Sequence, residues 1–235
     1  MILVEGTYEN LITDGLRQDM LDASSVGRVC KLEDIDSAES PNMLAEHLSK
    51  LIRNRLSDEN LSAEERTDFA NRLIDFLGEG KEEKIVDEKQ MLSAVVSQHE
   101  EARLKATNST PVRPLTGFRV SNLFTGGQSH VSLSSEIERD IESADSICMI
   151  VSFLKLSGVN LIYDHLKRFC SHPQHKLRII TTTYCGVTDA KAVERLANLP
   201  NPGIRIAYST EIERLHAKSY IFERNSGFST AYIGS

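Results

Sequence analysis

Apolar residues recur at helical spacing through the first hundred positions. Leu11, Ile12, Leu16, Met20 and Leu21 mark one amphipathic helix, and Leu44, Leu48, Leu51, Ile52 and Leu56 mark a second. A third opens at Ser62-Ala63-Glu64-Glu65, where the serine hydroxyl can accept from the Glu65 N–H and the glutamate can reach back to the Ser62 N–H. Its apolar face is Phe69, Leu73, Ile74 and Leu77. The stretch from Lys81 to Leu104 is charged at first and then apolar at Met91, Leu92, Val95 and Val96, which predicts a fourth helix. Such helices are expected to bury their leucine faces in a small bundle, or to cap a neighbouring unit.

The pattern changes after residues 105–117, KATNSTPVRPLTG, whose prolines, glycine and small polar residues read as a linker. Helical faces at Leu133, Ile137 and Ile141, then Leu161, Ile162, Leu166 and Phe169, then Val193, Leu196 and Leu199, alternate with short apolar runs. The runs are Ile147–Phe153, Leu177–Thr183, Ile204–Tyr208, Ala217–Glu223 and Thr230–Gly234. Helices alternating with strands predict an α/β fold: a mixed sheet flanked by helices, preceded by a small α-helical domain. The expected division is 1–104 helical, 105–117 linker and 118–235 α/β. The chain stops within an apparent strand, so the last unit is expected to be a fragment of a longer one.

Charge separates the same halves. The chain carries a net −7, but residues 1–110 hold about −10 and residues 111–235 about +3. An acidic front and a mildly basic back suit different partners. No run of 18 apolar residues occurs, which argues against a membrane span. The N-terminus lacks a secretory pattern, and Cys30, Cys148, Cys170 and Cys185 have no CxxC spacing. A cytoplasmic protein with no membrane partner is expected.

The chemistry lies in Leu215-His216-Ala217-Lys218-Ser219-Tyr220-Ile221-Phe222-Glu223, followed by Gly234-Ser235. On a strand, His216 and Lys218 project from one face, since side chains alternate with period two. Phosphodiester cleavage needs a nucleophile, a cation for the equatorial oxygens and a proton for the leaving oxygen. An imidazole beside an ammonium supplies the first two, and a Gly-Ser pair on a neighbouring strand lets phosphate approach closely and donates a hydroxyl.

This HxK, an acidic residue five positions on and a later GS resemble the HKD motif of the phospholipase D superfamily. Gly6–Ile12, Ser152–Gly158, Thr181–Pro200 and Gly227–Ser235 extend the resemblance to a bacterial group. Its members are superfamily II (DEAD/DEAH-type) helicase-like proteins with an N-terminal phospholipase-D-like domain. The chain departs from the motif in having Glu223 for aspartate and a longer spacing to Gly234-Ser235. The resemblance implies a phospholipase-D-like sheet and metal-independent hydrolysis through a phosphohistidine. His216 would be the nucleophile, Lys218 a phosphate ligand and Ser235 a hydrogen-bond donor. ATP and magnesium are implied only for a downstream motor absent from this chain, and no cofactor for this domain. Other members bring a second histidine, as general acid, from a second motif; here a homodimer sharing one site is expected to supply it. The expected partner is nucleic acid, DNA ahead of RNA.

Other assignments stay open at this stage. Glu223 either fixes the His216 tautomer or is a carboxylate at a strand end. Ser152, Thr182 and Arg214, with Gly234, are candidate substrate contacts; Ser152 also reads as a strand-terminating serine, Thr182 as a strand former and Arg214 as an exposed cation. The whole domain reads either as a nuclease or as an inactive module that positions nucleic acid, whereas a phospholipase lacks support because no membrane-binding segment is present.

Overall fold

The structure, a computed structural model, describes residues 3–78, 80–87, 89–125, 131–208 and 215–234. The chain divides into two compact units, Met1–Ser93 and Ala94–Ser235.

The first unit holds α1 (Asp14–Ser25), α2 (Ser40–Leu56) and α3 (Ala63–Leu77). Each begins close to where the apolar pattern begins. Thr13 caps α1 by accepting from Leu16 N, and the Ser62/Glu65 capping box forms as read from the sequence. The helices do not close into a bundle core. Ala23 is the one helical residue of the unit that is buried among those described, and Leu44, Leu48 and Leu51 each remain about half exposed. Nor does a helix span 81–104. Asn71 on α3 takes both backbone groups of Ile85, donating to its carbonyl and accepting from its N–H, which removes them from any helical ladder. The helix in this region is the short α4, Gln98–Ala106.

That helix belongs to the second unit, so the boundary falls earlier than the linker composition suggested. The expected linker is tied down at its far end. Pro114 is buried, and Leu115 N, Thr116 N and the Thr116 hydroxyl all donate to Glu136.

The second unit is α/β: α5 (Leu133–Ser143), β1 (Ser146–Val151), α6 (Leu156–Cys170), β2 (Lys176–Thr182), α7 (Ala190–Ala197), β3 (Gly203–Ala207), β4 (Lys218–Glu223) and β5 (Ser229–Gly234). Its five-stranded sheet has the order β3-β2-β1-β4-β5. The first three strands are parallel, and β4 and β5 add as an antiparallel hairpin beside β1. Ile147, Met149 and Val151 of β1, Leu177 and Ile179 of β2 and Phe222 of β4 share one face. They are buried in a single cluster with Ile137 and Ile141 of α5, Val159, Leu166 and Phe169 of α6 and Leu196 of α7. Among the described residues, no helix is long and apolar enough to cross a membrane.

This topology sets up an edge. Parallel β1, β2 and β3 end where antiparallel β4 begins and β5 ends, so Val151, Lys218 and Gly234 lie side by side. In open α/β sheets the carboxyl ends of parallel strands are where ligands bind.

Candidate functional site

Lys218 opens β4, opposite Val151 on one side and Gly234 on the other. The ladder continues one step further, since Ala217 O accepts from Ser152 N at 2.8 Å. The next step brings His216 against Phe153, with ring centroids 6.3 Å apart and the planes at 71°. His216 and Lys218 therefore sit two residues apart on an extended segment, one exposed and the other half-buried. The Lys218 ammonium has no ion pair among the described residues. An uncommitted ammonium beside an accessible imidazole is able to receive an anion. The space a Cβ would fill at Gly234 is open, which leaves room for phosphate to approach β5.

The other expected contacts separate into two kinds. Ser152 is fully buried, and its hydroxyl donates to Ala217 O at 3.0 Å. Thr182 is buried too, donating to Ala207 O at 3.0 Å and accepting from Tyr184 N at 3.1 Å. Both hydroxyls are spent on backbone, so they brace the strand ends rather than contact substrate. Glu223 lies at the far end of β4, five residues and roughly 16 Å from Lys218. It stands opposite Ser146 and faces Arg178 at 3.4 Å, where it cannot orient the His216 ring of its own chain. Arg214 and Ser235 lie outside the described residues.

The residues that hold this edge were not singled out in the sequence. Thr188 donates to Thr182 O at 2.8 Å, just before α7. Asp189 accepts from Leu156 N at 2.9 Å and from Lys155 at 3.2 Å, capping α6 from another loop. The Leu156 N–H, aided by Lys155, holds the Asp189 carboxyl below the usual aspartate range. Phe153, the ring against His216, reads in the sequence as one more strand residue.

A second polar cluster stands behind the β4–β5 hairpin. Asp140 and Glu136, one turn apart on α5, are both fully buried. Asp140 accepts from Arg224, from the Thr230 hydroxyl at 2.7 Å and from the Tyr232 hydroxyl at 2.5 Å. Burial first, and this hydrogen bond second, push the Tyr232 phenol far above its ordinary value. Arg224 also donates to Ser143 and lies over the Phe118 ring at 4.7 Å.

Among the described residues, the histidines of α6 and of the turn before β2 lie away from this edge, and His130 is outside the described residues. His172 and His175 stack on each other in the turn before β2, at the opposite edge, and His165 on α6 meets Glu142 at 2.9 Å. No group of three or more His, Cys, Asp or Glu side chains among the described residues is arranged to hold a metal.

Comparison with protein-family models and with curated proteins gives no match to this chain.

Proposed function

We propose that the second unit is a phospholipase-D-like phosphodiesterase module acting on nucleic acid, with His216 as nucleophile and Lys218 as phosphate ligand. The observation that carries the reading is the accessible imidazole and unpaired ammonium, two residues apart at the edge where the parallel strands end. An imidazole nitrogen attacks phosphorus, the bond to the leaving oxygen breaks, and that oxygen takes a proton. Water then cleaves the phosphorus–nitrogen bond and regenerates the histidine. Lys218 balances the charge on the equatorial oxygens in both steps.

The leaving oxygen needs its own proton donor, and His165, His172 and His175 are committed away from this edge. A two-fold dimer would present a second His216 across the phosphate. The basic surplus of residues 111–235 favours a polyanionic substrate, with DNA ahead of RNA, and the parent protein would carry a helicase motor beyond this chain. A cytoplasmic setting follows from the same reading.

A second reading has one observation in its favour. Glu223 stands at the wrong end of β4 to support His216, so the edge as built also suits a module that grips phosphate without turning it over. Incubation of the chain with single-stranded DNA in chelator separates the two. The enzyme reading predicts cleavage that falls by about a thousandfold or more in His216→Ala. Salt-dependent binding with no cleavage by the wild type overturns it in favour of the binding module.

A further inference from the structure

The cross-strand neighbours of the two candidate groups open onto a groove. Val151 is the partner of Lys218, Phe153 faces His216, and both line a cleft of about 280 Å³ between α5 and α6. Tyr220, the next residue along the Lys218 face of β4, lines it as well. Its ring is half-buried, and its hydroxyl has no hydrogen-bond partner among the described residues. Lys155 also lines it, its ammonium held by Asp189 at 3.2 Å. A mainly apolar cleft with a few polar groups has the character of a ligand site, and its size is at the small end, roughly 300 Å³, of such sites.

One wall is kept open by a glycine. Gly158 lies in the first turn of α6, where glycine weakens a helix relative to alanine. A Cβ built on it would meet nothing within 4 Å. A longer side chain at this position, on the exposed lining of the groove, is accommodated without displacing backbone.

We propose that the groove is a subsite for one nucleobase of a single-stranded nucleic acid, set beside the phosphate received by Lys218 and His216. The inference rests on the phosphate-binding reading of that pair. The rings of Phe153 and Tyr220 offer aromatic surface for a base, the usual means of holding unpaired bases. The Tyr220 hydroxyl can pair with a base edge, whereas an alkyl chain would leave it unsatisfied. The unpaired Lys218 ammonium at the adjoining edge matches the phosphate that every base carries next to it.

The test is calorimetric titration of the chain with deoxythymidine 5′-monophosphate, deoxyribose 5′-phosphate and dihexanoyl phosphatidic acid. The wild type, Gly158→Ala, Gly158→Met and Lys218→Ala are compared. The proposal expects the nucleotide to bind roughly tenfold tighter than the sugar phosphate, the scale of one base–aromatic stack. Gly158→Met removes that preference and leaves sugar-phosphate affinity unchanged, while Gly158→Ala keeps most of it and shows that the helix tolerates a side chain there. Equal affinities, or a preference that survives Gly158→Met, overturn the base subsite while the phosphate reading stands. Tighter binding of the phosphatidic acid that is lost in Gly158→Met also overturns it, in favour of an acyl chain. Sugar-phosphate affinity unchanged by Lys218→Ala overturns the phosphate reading itself.

Discussion

Arg224, the first residue after β4, donates to the carboxylate of Asp140, which α5 buries completely. The same carboxylate accepts from Thr230 and Tyr232 on β5. One anion thus ties α5 to the hairpin that carries Lys218 at one end and Gly234 opposite it. A buried carboxylate is costly unless its oxygens are fully paired, and here they take a guanidinium and two hydroxyls.

Removing one side of that arrangement leaves Arg224 buried and uncompensated. Asp140→Ala is expected to cost about 3–5 kcal/mol of stability, and Asp140→Asn less, because the amide oxygen still accepts. Urea denaturation measures both. A loss below about 1 kcal/mol for the alanine variant means the cluster does not hold the hairpin.

The hairpin also gives the fold an alkaline limit. The Tyr232 phenol is raised above its ordinary value near 10 by burial and by its bond to Asp140, and burial raises Tyr220 in the same direction. A group raised on folding contributes stability that is complete below its unfolded value and is lost as pH climbs toward the folded value. Thermal midpoints should therefore fall as pH passes about 10. Tyr232→Phe should lower the midpoint at neutral pH and flatten the alkaline decline. A decline of the same slope in Tyr232→Phe assigns the effect to other groups.

Glu223 faces Arg178 on the solvent side of the far sheet end, both more than half exposed. Exposed pairs contribute little, so Glu223→Gln should change stability by under about 1 kcal/mol. It should also leave DNA cleavage or binding within about twofold of the wild type, because the side chain is roughly 16 Å from Lys218. A loss of tenfold or more in activity, with stability unchanged, would show that Glu223 serves the site after all.

The strands were legible because each alternates or runs apolar within a few residues, and the order of helices and strands points to a sheet. The expectation that His216 and Lys218 share a side came from their spacing alone. Misreadings came where a distant partner decides. Glu136 and Asp140 drew no reading from the sequence, because the partners that bury them lie up to about ninety residues away. Among the described residues no α-helix follows the short 3-10 turn Lys81–Glu83 before Gln98, and Asn71 holds both backbone groups of Ile85. Ser152 and Thr182 look available to a ligand until the strand ends come together and their hydroxyls turn to Ala217 and Ala207. Glu223 fits the spacing of a motif, but spacing along a strand also carries a residue away from the edge where the strand began.

Trapping the covalent intermediate shows directly whether His216 is the nucleophile. The chain, in excess over single-stranded DNA and in chelator, is quenched under alkaline denaturing conditions during the first turnover and digested for mass spectrometry. A nucleotide phosphoryl group is expected on the imidazole of His216, and none in His216→Ala. Cleavage that continues in His216→Ala, or an adduct on another side chain, would contradict it.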